Sequence, residues 1–474
     1  MTKTDLSTDY LIVGSGAVGM AFADSLLTDS DADMIIVDRF QKPGGHWNLA
    51  YPFVTLHQPS AFYGVSSTEL SNGKLDEVGL NKGLGSLASG AEVNAYFDRV
   101  MQERFLPSGR VRYFPMSDYR GDGTFASLLT GEERKVSAKK FVDATYLKTT
   151  IPATHTPSFS VESGVRFMPL NDLPTISDRP DGFVVIGGGK TGMDACIWLL
   201  ENGVDPDAIT WIISRDGWML DRQNTQAGIE FFHHTMEAQA RQFEAIAAAD
   251  SVEDLFDRLE EAGVLLRLDK NVRPSMFHGA TISQAELAQL RRITNVVRKG
   301  RVSHIGLNEI TLAYGSIATT PNTVHVDCSA SAISNLATKP IFQGDTITPQ
   351  TVRSYQPVFS AALIAHVEAT RETEAEKNRL CGVVPLPNHD TDWIRMMIPF
   401  MMNQYNWSMD PDMKAWLRSN RLDGFSAMVS GIAEDDHEKR AVIQRMKDNS
   451  MPAMAKLQQF VSTLEKSDTC CPTG

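Results

Sequence analysis

The sequence predicts an α/β fold in which two similar units each carry a parallel sheet covered by helices. Three observations lead there. A short apolar run, a glycine-rich turn and a helical stretch follow one another near residue 14, and the same succession recurs near residue 187. Each is followed, about 130 to 140 residues on, by a matching strand, Phe141-Val142-Asp143-Ala144-Thr145 and then Val324-His325-Val326-Asp327-Cys328. Short apolar runs alternate with helical patterning, as buried parallel strands with helical crossovers do.

Composition narrows the function classes. With 42% apolar and 22% charged residues, the chain can bury a large core and is not mainly disordered. Lys plus Arg is 45 against 58 for Asp plus Glu, and the net charge of −13 argues against a nucleic-acid partner, whose phosphates need positive potential. No apolar stretch reaches the roughly 18 residues of a membrane span, and the N-terminus lacks a signal-peptide layout. Five cysteines without regular spacing fit a reducing, cytoplasmic setting better than a disulfide framework.

The first motif begins with the strand-like Tyr10-Leu11-Ile12-Val13, followed by Gly14-Ser15-Gly16-Ala17-Val18-Gly19 and a helical stretch from Met20 to Leu27. Gly14 allows the tight turn, Gly16 lets backbone approach a pyrophosphate, and Gly19 lets helix and strand pack closely. The pyrophosphate would sit at a helix N-terminus, where unpaired N–H groups and the helix dipole favour anions. A second strand, Met34-Ile35-Ile36-Val37, ends at Asp38, with Arg39 beside it as a further candidate to contact the cofactor. An acid at this offset binds a ribose 2′-hydroxyl, which implies FAD or NAD. Gly44-Gly45-His46-Trp47 follows, and a glycine pair with an aromatic residue suits backbone wrapped round a larger, flat cofactor.

The second motif is the strand Phe183-Val184-Val185-Ile186 with Gly187-Gly188-Gly189-Lys190-Thr191-Gly192, opening a helix from Met193. The next strand, Ile209 to Ile213, ends in Ser214-Arg215, so a cation stands where the first unit has an acid. Arg215 can pair with a 2′-phosphate, which favours NADPH over NADH; a surface arginine serving only to solvate a loop is the plainer alternative.

In order, GSGAVG, Asp38, GGHW with Tyr51-Pro52 after it, FVDAT and GGGKTG resemble the flavin-containing monooxygenase-like family of two-dinucleotide flavoproteins. The resemblance covers most of residues 9–215 and, more weakly, 320–370, where the VDCSAS strand and Ile341-Phe342-Gln343-Gly344-Asp345 match the return of the chain to the FAD domain. It implies two Rossmann-like domains: residues 1–175 as the first part of an FAD-binding domain, 176–320 as an NADPH-binding domain with a helical insertion at about 225–300, and 321–474 as the return with a helical C-terminal region. It also implies a monooxygenase that inserts one oxygen of O2 into a small organic substrate through a C4a-(hydro)peroxyflavin. Asp345 would approach the flavin ribityl chain. The asparagine that often faces the flavin in the family is replaced here by Leu56-His57-Gln58-Pro59, so His57 or Gln58 would supply the polar contact, unless His57 is structural. The family's FxGxxxH stretch is missing, with Val161 and Val165 at its glycine and histidine positions. A flavin oxidoreductase that never oxygenates is the alternative activity, and a nucleotide sensor without catalysis is a third reading. No CxxC or CxxxxC pair is present, as a disulfide reductase would need; Cys196 and Cys328 are expected to be packing residues, and Cys470-Cys471 near the end are the remaining pair.

Beyond the motifs, Ser251 reads as a helix cap, with Val252, Leu255, Phe256 and Leu259 on one face. The methionine-rich run from Trp393 to Met402 suits core best, with a substrate wall or a homodimer contact as alternatives. The chain is expected to fray from Ser467 onward.

Overall fold

The computed structural model describes residues 4–71, 73–330 and 336–470. The chain adopts the expected α/β fold with two Rossmann-like units. In the first sheet the parallel strands run in the order Thr346–Ile347, Glu133–Asp143, Thr4–Val13, Met34–Val37, Val111–Phe114, and Phe342–Gln343 adds an antiparallel edge. Strands Ser117–Gly121 and Thr124–Ser127 form a meander on the early part of Glu133–Asp143. The second sheet is parallel throughout, in the order Phe167–Pro169, Val324–Asp327, Phe183–Ile186, Ile209–Ile212, Val296–Val297. Strands Met34–Val37, Phe183–Ile186 and Val324–Asp327 are buried at every position; the first two read as unbroken apolar runs, while the third carries buried His325 and Asp327.

The return of the chain to the first unit is carried by packing as well as pairing. In helix Pro357–Thr370 every residue from Val358 to Glu368 is buried, and the helix lies against Ala17–Asp29. A helix buried on all sides is stable only inside a core, and its polar members are paired there: His366 with Asp29 and Glu368 with Lys377. Two unit boundaries differ from the expected ones. Phe167–Pro169 precedes the expected boundary at 175/176 and Val324–Asp327 follows that at 320/321, yet both strands pair within the second sheet.

The segment expected as a helical insertion is mixed. Ser251 caps Val252–Glu261 through its side chain, and Leu255, Phe256 and Leu259 are buried. Helices Phe232–Ala248 and Gln284–Leu290 also form, but Leu265–Leu266 and Met276–Ile282 flank Gly217–Asp221 in a three-stranded sheet, and Val296–Val297 is the edge of the second sheet. Helical charge patterning hid these short strands, whose apolar residues gain their partners only across the fold. Trp393, Ile394, Met396 and Met397 pack with Trp218 and Phe256, so this half of the methionine-rich run is core, while Met402 is exposed. The last helix, His437–Cys470, continues past Ser467; Cys471 and Ser331, the latter ending the VDCSAS strand, lie outside the described residues.

Candidate functional site

The first glycine loop is closed on itself before any ligand is considered. Gly14 has a φ of +100°, which side-chain-bearing residues rarely adopt, and a Cβ on Gly19 would lie 1.9 Å from the Gly14 carbonyl oxygen. Gly16 caps helix Ala17–Asp29 without a side chain on the first amides and without an acid in the first turn. The amides are therefore left for an anion. Asp38 is buried: one carboxylate oxygen accepts from the Ser15 hydroxyl (2.8 Å) and the Ser15 N–H, and the other accepts from the Phe40 N–H at 2.8 Å. The Gly44 N–H donates to the Ser15 carbonyl at 2.9 Å, and a Cβ on Gly16 would meet Gly45 Cα at 3.5 Å, so the Gly44–Gly45 turn lies over the loop. His46 stacks on Trp47, and burial lowers its pKa to about 4; the Trp47 indole donates to the Tyr63 hydroxyl at 2.7 Å. Ser15, Ala17, Asp38, Gly45, His46 and Trp47 are thus gathered round one loop. Two expected ligands are not. Arg39 points outward, 72% exposed, with Asp118 at 3.5 Å. Asp345 sits in an exposed hairpin turn where its carbonyl accepts from the Phe141 N–H (2.8 Å), below the level of the glycine loop, because Gly344-Asp345 turns the edge hairpin instead of ending a strand.

The second loop repeats the first in backbone and departs from it in side chains. Gly187 has a φ of +136°, a Cβ on Gly192 would lie 2.1 Å from the Gly187 carbonyl oxygen, and Gly189 caps helix Lys190–Glu201 with no side-chain bond. A Cβ on Gly189 would meet no atom within 4 Å, so this loop is open where the first is covered. Arg215 donates to Asn388 Oδ1 at 2.9 Å, and His278 shares the same oxygen at 3.0 Å. Burial and the neighbouring Arg301 weaken the hold of Arg215 on its proton, but an arginine stays charged in a protein. The acid next to it, Asp216, is neutralised by a bidentate pair with Arg298 at 2.8 and 2.9 Å. The corner at the end of strand Ile209–Ile212 is therefore cationic.

Lys190 does not point toward the open loop. It pairs with Asp194 one turn on and stands 3.9 Å from Glu286, only 9% exposed. Pulling it toward a phosphate would leave Asp194, whose side chain is only 15% exposed, without its cation, which is costly. Thr191 stays at the helix start. The same cluster reaches the first unit: the Tyr51 hydroxyl donates to Asp194 at 2.6 Å, and Arg222 pairs with Glu286 at 2.7 Å while donating to the His57 carbonyl at 2.9 Å. Burial, with Lys190 and Arg222 nearby, lowers the His57 pKa to about 3, so its ring is neutral near pH 7 and can offer a hydrogen bond but no charge. Gln58 lies beside it on the same loop.

A cavity of about 490 Å³ opens past the C-terminal edge of the first sheet, lined by Tyr146, Gln350, Thr351, Val384, Asn388 and His389 among others. Asn388, in the cavity wall, is also the residue that accepts from Arg215 of the second unit. Sequence reasoning missed Arg222, Glu286 and Asn388: a single polar residue in a helical or Pro-rich stretch carries no pattern, and its role comes from contacts across roughly 60 to 170 positions. Cys196, Cys328 and Cys381 are buried free thiols whose pKa burial pushes up, the reverse of a reactive thiolate.

No family model matches the chain. Uncharacterized proteins of Mycobacterium tuberculosis and Mycobacterium bovis are 48% identical to it over 438 residues, 92% of this chain and 81% of theirs. The chain belongs to the family of these mycobacterial proteins. Among solved structures it is similar to a cyclohexanone-bound cyclohexanone monooxygenase (12% identity, 80% of this chain and 92% of that one, TM-score 0.48). It is also similar to a flavin monooxygenase mutant from Stenotrophomonas maltophilia (14%, 80% and 100%, TM-score 0.44) and to a bacillithiol disulfide reductase from Bacillus cereus (12%, 77% and 100%, TM-score 0.43). Likenesses this loose leave the chemistry to the chain's own residues.

Proposed function

Taking the chain and its mycobacterial relatives as one family, we propose that it is an FAD- and NADPH-dependent monooxygenase acting on a small organic substrate with O2. The observation that carries the reading is the pairing of two uncapped glycine-loop helices with opposite ribose chemistry, buried Asp38 at one and Arg215 at the other. Both loops fit a dinucleotide: their first amides are free of side-chain caps, and Gly189 leaves the room that a Cβ would fill. FAD would be held by the 14–19 loop, Asp38 and the Gly45–Trp47 turn; NADPH by Gly187, Gly189, Thr191 and Gly192, with Arg215 on its 2′-phosphate. Bound there, the two cofactors would supply hydride transfer and oxygen chemistry. The chain's own part is to orient and shield them. Asp38 would accept from a ribose hydroxyl, Arg215 would select the phosphorylated ribose, and neutral His57 and Gln58 would offer polar contacts without charge. Among the described residues, the buried thiols of Cys196, Cys328 and Cys381 support this over a dithiol mechanism that uses them.

Purified protein should be yellow or take up added FAD. NADPH should bleach it under argon at lower concentrations than NADH, and a substrate screen should find a compound whose oxygenated product matches the NADPH consumed. Protein that neither shows colour nor takes up FAD would end the reading. One observation favours the non-oxygenating alternative. The segment at the missing FxGxxxH stretch is built into a four-stranded sheet, with Ser160 and Val161 opposite His304 and Ile305 and with Val165 in an apolar cluster. Bleaching by NADPH with all oxygen returned as hydrogen peroxide, whatever the substrate, would select it.

A further inference from the structure

Lys190, Asp194, Arg222 and Glu286 form a buried, charge-balanced cluster where loop 51–59 of the first unit crosses the second. Arg222, 1% exposed, binds both sides of that crossing. Toward the first unit its Nε donates to the His57 carbonyl (2.9 Å) and Nη1 to Asn81 Oδ1 (3.2 Å); toward the second, Nη2 donates to the Thr281 carbonyl (3.2 Å) and Nη1 pairs with Glu286 (2.7 Å). The turn it begins adds a further tie: Gln226 donates to the Arg222 carbonyl at 2.7 Å and accepts from the Gly85 N–H at 2.8 Å. Replacing a buried ion pair by apolar groups of similar volume is often neutral for stability, so stability alone gives little reason for a guanidinium here. What an apolar side chain cannot do is donate to acceptors on two units at once. We propose that Arg222 is a positioning residue that fixes the His57–Gln58 loop relative to the second glycine loop, so that groups held by the two loops meet at a set spacing. This rests on the reading of two nucleotide sites given above.

The test compares Arg222→Lys with the double variant Arg222→Met/Glu286→Gln, which leaves no unpaired acid at position 286. In protein without nucleotide, amide exchange at Leu56, Ser60 and Gly85 should rise about tenfold in the double variant, while exchange in the core strand Val324–Asp327 stays as in the wild type. In flavin-loaded protein the limiting rate of reduction by NADPH should fall about tenfold, with NADP⁺ affinity held within about threefold, and Lys should recover part of the loss. Unchanged exchange, an unchanged limiting rate, or affinity falling in step with rate would each overturn the proposal. Should the double variant not fold, Arg222→Lys decides alone: it keeps the charge but not the fork, and wild-type exchange and rate in it would refute the assignment. Failure of the wild type to take up flavin would sink the proposed function instead, while the exchange measurement would still decide the tether.

Discussion

In the first unit the Gly14 N–H donates to Val37 and the Ala144 N–H to Val13; in the second the Gly187 N–H donates to Ile212 and the Cys328 N–H to Ile186. Val13 pairs with Asp143 and Ile186 with Asp327, and each aspartate accepts the N–H and hydroxyl of the residue two positions on, Thr145 and Ser329. The backbone is thus repeated bond by bond. The side chains are not: Asp38 is locked to Ser15 under the Gly44–Gly45 turn, whereas Arg215 reaches to Asn388 beside an uncovered Gly189. The difference teaches that the shared scaffold fixes the backbone and the free helix amides, while the residue at the end of the second strand and the cover over the loop are where the two units diverge.

The strongest way to break this comparison is at the third glycines. Gly19→Ala and Gly192→Ala should each cost about 3 kcal/mol in denaturant unfolding, because the added methyl meets a carbonyl oxygen that cannot move. Wild-type stability in either would mean the two loops are not built alike. Asp38→Ala should cost about 1.5–3 kcal/mol by stranding the Ser15 and Phe40 donors, and should also release flavin, read as loss of the visible band from the protein fraction after gel filtration. Arg215→Ala should weaken NADPH binding by about tenfold or more in a fluorescence titration and leave NADH binding unchanged; equal losses would remove the ribose assignment.

A smaller effect comes from His57, which sits on the first unit but is pressed by cations of the second. Its pKa is about 3 when folded and about 6.5 in an unfolded chain. Between those values the unfolded chain holds a proton that the folded one does not, so stability is fully present above about pH 6.5 and declines as pH falls, by up to about 1.4 kcal/mol per pH unit. His57→Gln should flatten melting temperature against pH in that window by one proton's worth. The smallest change is Gly189→Ala: with no neighbour to meet, its methyl should cost about 1 kcal/mol or less in stability, yet it should block nucleotide binding measured by titration.

Much of the fold was legible because glycine turns and apolar strands are local patterns. Gly14, Gly19, Gly187 and Gly192 can be assigned from spacing alone, and the structure gives each the backbone role that spacing implies. Lys190 shows the limit of such reasoning. Its place in the second glycine motif makes it a candidate for holding NADPH, but Asp194 and Glu286 turn it inward, and Glu286 is almost a hundred positions away. Asp345 misled in the same way, since a Gly-Asp pair at a strand end and one in a hairpin turn look alike until the pairing partner is known.

By itself, then, the amino-acid sequence determined that the chain would make two parallel βαβ units with anion-ready helix ends, an acid on one and a cation on the other. These depend on residues within about 30 positions of each other, where backbone sterics and hydrogen bonding act directly. Only the tertiary structure decided which side chains are free to meet a ligand and which are spent on one another, as Lys190 is on Asp194 and Arg222 on His57, Asn81 and Glu286. The reason is electrostatic: a charge removed from water must be paired, and the partner it finds is set by packing across the units and not by distance along the chain.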